Sequence, residues 1–148
     1  MSLFVRLADW NNDYDTIRSI RQRVFVEEQA VPPEIEWDEH EPKAQHFLVF
    51  YQNKAVGTGR ITGDGKIGRM AILRDARGLG AGLQLLLFIC KFARAEGQKC
   101  VYLNAQSHAI PFYAKAGFKP VGEEFFEANI PHVRMELQLP LEEPATDE

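Results

Sequence analysis

An apolar run, Ile67-Gly68-Arg69-Met70-Ala71-Ile72-Leu73, leads through Arg74-Asp75-Ala76-Arg77 into three alternating glycines, Gly78, Gly80 and Gly82, which open a long apolar stretch. The pattern predicts a strand, a tight glycine turn and a helix. Such a junction is suited to an anion. The first N–H groups of a helix have no partner within it and lie at the positive end of its dipole. Glycines carry no Cβ, so a phosphate group can approach those donors. Arg77 adds a guanidinium fork just before the turn. The residues alone leave a second reading open, an ordinary strand-to-helix turn that happens to be glycine-rich.

Spacing separates the phosphate loops that could account for this segment. A dinucleotide fingerprint needs glycine three places after Gly80, where Leu83 stands. It also needs an acidic residue in a following strand to hold a ribose, and Glu96 still lies on the same helix pattern. A Walker loop needs Gly-Lys-Ser/Thr, which is absent. What remains is Arg-x-x-Gly-x-Gly, starting at Arg77.

With 148 residues, 45% of them hydrophobic, the chain is sized for a core of one domain. We expect that domain over residues 1–141, followed by a frayed charged tail from Glu142 to Glu148. Arg6 and Asp9 come early and no apolar h-region follows, so no signal peptide is expected. The longest fully apolar run, Leu85 to Cys90, is too short to span a bilayer. Cys90 and Cys100 fall in helix and strand patterns and read as core thiols of a reduced, cytoplasmic protein without a membrane partner.

The net charge of −4 argues against nucleic acid as a partner. Lys66, Arg69, Arg74 and Arg77 face only Asp75 between residues 66 and 77, an island suited to an anionic ligand. Glu27, Glu28, Glu34, Glu36, Asp38, Glu39 and Glu41 form a block without Lys or Arg, suited to a cationic substrate or to a solvated surface.

Along the chain, Leu3–Leu7 reads as a strand. Apolar residues at 14, 17, 20 and 24 predict a helix over Tyr14–Phe25 with Asp13 as its cap. Val31-Pro32-Pro33 breaks regularity, and an acidic loop or short helix continues to Lys43. His46–Tyr51 and Ala55–Thr62 predict a hairpin around Asn53-Lys54, and Lys66–Leu73 the next strand. Gly80–Glu96 is a helix whose apolar positions nearly encircle it, so it packs on a sheet alone or on a sheet and a partner surface, which admits a homodimer. Cys100–Ala105 is a strand, Ile110–Ala116 a short helix ended by Gly117, and Lys119–Phe126 with His132–Leu139 a closing strand pair.

Downstream of the glycine loop stand Phe112-Tyr113 and Gly117-Phe118. Together with Arg77-Gly78-Leu79-Gly80-Ala81-Gly82, they resemble the GNAT N-acetyltransferases in order and spacing. The segments Arg23-Val24-Phe25-Val26-Glu27-Glu28-Gln29, Val31-Pro32 and Ile130-Pro131-His132-Val133-Arg134-Met135 further resemble the ElaA-like bacterial branch, so the likeness covers nearly the whole chain. It implies an α/β fold: a central mixed, largely antiparallel sheet of six to seven strands with a V-shaped splay, flanked by about four helices. It also implies that the strand Lys66–Leu73 parts from Cys100–Ala105 after Met70. The pantetheine of acetyl-CoA would fill the gap, pairing with backbone near Met70, Ala71 and Ile72, with its pyrophosphate on Arg77 to Gly82.

The implied activity is acetyl transfer from acetyl-CoA, the co-substrate, to a primary amine of a small molecule or peptide. A GNAT-like domain that holds CoA as a sensor or scaffold, without turnover, is the alternative. An amine with pKa near 10.4 must lose a proton before it attacks, and the departing thiolate, whose thiol has pKa near 8.5, benefits from a donor. Tyr113 is the expected donor, against an aromatic that merely packs on the sheet. Glu36, Asp38 and His132 are the candidates for base or acceptor contact, histidine exchanging its proton nearest neutral pH. For these, strand capping or plain solvation is the competing account. His40, His46, His108 and the cysteines share no ligand spacing, so no metal is expected. No Ser-His-Asp order or cysteine motif suggests a covalent acyl-enzyme.

Overall fold

The computed structural model describes residues 2–30 and 43–140. The break at Val31–Pro33, the acidic loop that follows it to residue 42 and the tail from Glu142 lie outside the described residues.

Strand β1 (Leu3–Leu7) leads to helix α1 (Trp10–Arg21), which passes directly into a π-helical segment, Gln22–Glu28. Asp9, not Asp13, caps α1: its backbone is extended and its carboxylate accepts the Asn11 N–H at 3.1 Å. The helix starts earlier than its apolar spacing suggested because Trp10 is itself an anchor, stacked on His46 with ring centroids 4.3 Å apart. Asp13 instead accepts the Asp9 N–H and both arms of the Arg6 guanidinium. The π-helical widening shows in the Gln29 N–H, which reaches back five residues to the Val24 carbonyl at 3.0 Å.

Strands β2 (Gln45–Tyr51), β3 (Lys54–Ile61) and β4 (Ile67–Ile72) follow as a meander. Gln52 and Asn53, both left-handed, form the two-residue hairpin turn between β2 and β3, one position before the expected turn. Helix α2 (Ala81–Ala95), strand β5 (Cys100–Gln106), the short helix α3 (Ile110–Lys115), and strands β6 (Lys119–Glu127) and β7 (Ile130–Gln138) complete the order.

The strands form two antiparallel sheets, β1-β2-β3-β4 and β5-β7-β6. Their link is parallel: Lys66 bridges Tyr102, and the Tyr102 N–H donates to the Gly65 carbonyl at 3.0 Å. The expected mixed, largely antiparallel sheet of six to seven strands is found, among the described residues, as two antiparallel halves of seven strands in all, joined by one bridge. Among the described residues the α-helices number three, with the π-helical segment beside them.

The first sheet is covered on both faces, which is why His46, Phe47, Leu48 and Val49 are buried in succession rather than alternately. Leu48, Ala71 and Leu73 pack with Ile17, Ile20 and Val24 beneath α1. Phe47, Val49 and Ile61 pack with Ala81, Leu85, Leu86 and Ile89 of α2. Burying a side chain of this size contributes roughly 1.5–3 kcal/mol, so this two-sided core fixes where β4 and the start of α2 sit.

Candidate active site

The cleft begins where β4 and β5 separate. Among the described residues the one ladder bridge between them joins Lys66, just before β4, to Tyr102, so strand pairing ends ahead of Ile67, earlier than the expected point after Met70. Its closed end is pinned by the Tyr102 hydroxyl, which donates to Asp64 at 2.6 Å, and by the Arg134 guanidinium 3.9 Å above the Tyr102 ring. Beyond that point the outer edge of β4 has no sheet partner among the described residues. An open edge offers its backbone N–H and C=O groups to an extended ligand.

A bulge shapes that edge. Thr58 pairs with Ala71 and Arg60 with Gly68, so Gly59 faces two residues, Arg69 and Met70. Arg69 takes up the extra residue in a left-handed conformation, φ 52°. Gly59 is what admits the bulge: a Cβ there would lie 3.1 Å from both Met70 Cγ and Ile89 Cδ1. Bending turns Met70 toward the cleft, where it lines both of the cavities found there.

The larger cavity, about 860 Å³, runs along the glycine loop. Met70, Ala71, Ile72, Arg77, Gly78, Gly80, Ala81 and Gly82 line it, as the sequence suggested; Leu79 turns its side chain to the core instead. Gly80 caps α2 at φ 87°, and no side chain occupies the cap. Because the first intrahelical bond is donated by Gln84 to the Gly80 carbonyl, the N–H groups of Ala81, Gly82 and Leu83 are left for another acceptor. These residues fit an anion such as a pyrophosphate.

Arg77 is not simply presented to solvent. Its Nε donates to the Ile72 carbonyl at 3.0 Å, and its two terminal nitrogens donate to Glu28 at 2.6 and 2.8 Å. The pair, with weaker help from Arg74, holds the Glu28 carboxyl below the usual carboxylate range. Sequence spacing gave no sign of this contact across 49 positions.

The smaller cavity, about 300 Å³, continues past Met70 between β4 and β5. His132 lines it, buried and stacked on Phe125. Its Nδ1 lies 2.7 Å from the Ile130 carbonyl. A carbonyl can only accept, so Nδ1 carries a hydrogen, and in the tautomer this bond selects the lone pair sits on Nε2. Ala128 and Asn129, both left-handed, form the tight β6–β7 turn that places Ile130 to make this bond.

Tyr113 on α3 lines both cavities, its ring held edge-on between Phe112 and Phe118. Burial pushes its hydroxyl up to about 12, so it is protonated at neutral pH and can donate but not accept a proton. Gln29, Gln106 and His108 also line both cavities, and sequence reasoning singled out none of them for the cleft. Gln106 extends β5 one residue past its expected end, and Gln29 follows a π-helical segment that periodicity cannot reveal. Glu36 and Asp38 lie outside the described residues. Among the described residues, no three His, Cys, Asp or Glu side chains cluster as metal ligands.

A splayed pair of sheets, a bulged edge strand and an uncapped glycine-headed helix frame a cleft beside a second chamber. Comparison with known proteins gives that cleft its family. Residues 12–139 match the model of the acetyltransferase (GNAT) domain, and the chain belongs to that family. Among its relatives is the N-acetyltransferase YjcF of Bacillus subtilis (strain 168), named as uncharacterized, 41% identical over 120 residues, covering 78% of this chain and 86% of that protein. Solved structures include an acyl-CoA N-acyltransferase from Pseudomonas aeruginosa (TM-score 0.80, 28% identity, 91% of this chain and 99% of that one). Escherichia coli ElaA superposes equally well, with TM-score 0.80, 27% identity and the same coverage. The protein is accordingly an acetyltransferase, and its fold implies an acyl-CoA co-substrate.

Proposed function

We propose that this enzyme transfers an acetyl group from acetyl-CoA directly to a primary amine of a small molecule or peptide. The observation that carries the reading is the wall shared by the two cavities, formed by Met70, Tyr113 and their neighbours. A group held at the end of the glycine-loop groove would lie beside a group held in the second chamber, across that shared wall.

In this reading the N–H groups of Ala81, Gly82 and Leu83 hold the pyrophosphate, and the open edge of β4 from Met70 to Ile72 pairs with the amides of the pantetheine arm. The thioester supplies an activated acyl group, and a backbone N–H of β4 polarises its carbonyl. His132 Nε2 takes the proton that the ammonium must lose, directly or through one water. The Tyr113 hydroxyl donates to the departing sulfur. His132 is preferred over Glu36 and Asp38 as base because its tautomer and place in the cavity wall both support the role. Direct attack needs no cysteine, and Cys90 is buried with its thiol pushed up to about 12.

The acceptor's charge is the finer part of the proposal. A cationic amine would be drawn by the acidic block Glu27–Glu41. Of that block Glu28 is engaged by Arg77, and the described wall of the smaller cavity carries Lys66 and Arg69 with Glu127. Preference for a cation would therefore originate in residues 34–41. Labelled acetyl-CoA and a panel of cationic, neutral and anionic primary amines, read by thiol release and product mass, tests both parts. N-acetylated product is expected, with cations favoured. Release no faster than thioester hydrolysis across the panel would refute the activity, and an anionic best acceptor would refute the charge assignment.

A further inference from the structure

Gln106 Nε2 donates to Gln29 Oε1 at 2.9 Å, and both side chains border the groove along the glycine loop and the smaller chamber beyond it. This hydrogen bond stands at the boundary between the two cavities. We propose that the Gln29–Gln106 pair closes the acyl end of the groove and restricts the enzyme to short acyl groups. The inference rests on the acyl-CoA reading above.

Both partners are anchored. Gln106 is the last residue of β5 and pairs in register with His132 of β7. Gln29 caps the π-helical segment just past its end, its N–H bonded to the Val24 carbonyl, and its neighbour Glu28 is gripped by the Arg77 fork. The bond therefore ties the α1 side of the cleft to β5 at the open end of the splay. The Tyr102–Asp64 contact ties β5 across the cleft at the closed end. The distance between these two ties, from residue 102 to residue 106, is about 13 Å along the strand. A boundary backed by two fixed elements cannot swing aside as a lone exposed side chain would.

Its chemistry selects against hydrocarbon. An acetyl group ends before the pair, whereas a longer chain must break the hydrogen bond or press methylenes against amide groups that then lose water without gaining a partner. The space beyond is not itself hostile to a longer chain. Phe25, Ile67, Leu103 and Ile130 line the smaller cavity, and each methylene buried among them would be worth about fourfold in affinity. Removing the pair should accordingly turn a penalty into a gain.

Calorimetric affinities for acetyl-CoA and butyryl-CoA, measured without an acceptor, test this in the parent and in Gln29→Ala, Gln106→Ala and the double variant. The parent is expected to bind acetyl-CoA at least tenfold more tightly than butyryl-CoA. Either single variant should raise the butyryl-to-acetyl affinity ratio by about tenfold, and the double variant no further, because one bond is lost in all three. Gln29→Asn, which keeps the amide but shortens its reach, should shift the ratio in the same direction and serves if an alanine variant fails to fold. A parent that binds both thioesters equally, or variants that leave the ratio unchanged, would overturn the proposal while leaving the acyl-CoA reading intact. A parent that binds no CoA thioester would overturn that reading itself, and this inference with it.

Discussion

Replacing Tyr113 by Phe removes one hydroxyl and leaves the ring between Phe112 and Phe118, so packing and proton donation are separated in a single variant. Burial pushes that hydroxyl up to about 12, while the thiol formed on acyl transfer has pKa near 8.5. Full proton transfer from Tyr113 to the thiolate would then run uphill by about 5 kcal/mol. The hydroxyl is better suited to stabilise the developing charge by a hydrogen bond and let solvent complete the transfer. A hydrogen bond to a charged group is worth about 1.5–3 kcal/mol, which sets the expected loss in kcat at about 10 to 10²-fold. Affinity for acetyl-CoA should change by no more than about threefold, since the thioester carries no such charge. Because Tyr113 stays protonated well above neutrality, the ratio of parent to variant rates should be constant from about pH 7 to 9. Single-turnover acetyl transfer at saturating substrates is the assay. Equal rates for parent and Tyr113→Phe, with Tyr113→Ala merely lowering thermal stability, would show that the residue only packs.

Three further outcomes follow from the same geometry. Gly80→Val should abolish acetyl-CoA binding and cost at least 1–2 kcal/mol of stability through its left-handed backbone, φ 87°. Gly82→Ala should cost little stability, because its Cβ meets Phe112 at an ordinary 3.4 Å; thermal melts distinguish the two, and an equal loss of stability would refute the distinction. Glu28→Gln removes the carboxylate charge that competes with phosphate for Arg77, so acetyl-CoA affinity should rise by up to about fivefold, the scale of an exposed ion pair, while Arg77→Ala lowers it; weaker binding in Glu28→Gln would refute the competition. Asp13→Asn should cost about 1 kcal/mol in urea unfolding at pH 7, since the Arg6 guanidinium holds the Asp13 carboxyl below its ordinary 3.8. A lowered pKa stabilises above the ordinary value and ceases to do so as pH falls through the lowered one, so parent and variant should converge only below about pH 3.8; convergence near neutral pH would refute the assignment.

The sequence by itself determined most of the elements and the backbone character of the glycine loop. Strand β1 was legible at its full extent, and Ile17, Ile20 and Val24 were found on one buried face as their spacing required. The glycines at 78 and 80 are left-handed where the motif demanded a turn without Cβ. These features are local: periodicity, capping chemistry and backbone preference act within a few residues, so a single chain displays them. The start of α1 was misplaced because Trp10, read as outside the helix, gains its hold from His46, 36 positions away.

Only the tertiary structure decided what those elements do together. The bulge at Arg69 and Met70 depends on Gly59 of the neighbouring strand, and the splay depends on sheets that touch at Lys66 and Tyr102. Arg77, a candidate phosphate contact by its place before the glycine loop, is held by Glu28, and Gln29 meets Gln106 across 77 positions. Neither partner carries a local signal, since an exposed glutamate or glutamine satisfies its own stretch of chain equally well in water. Their positions follow from packing α1 and α2 on opposite faces of one sheet and closing the second sheet beside it, where long-range burial, rather than any short pattern, sets which side chains face each other.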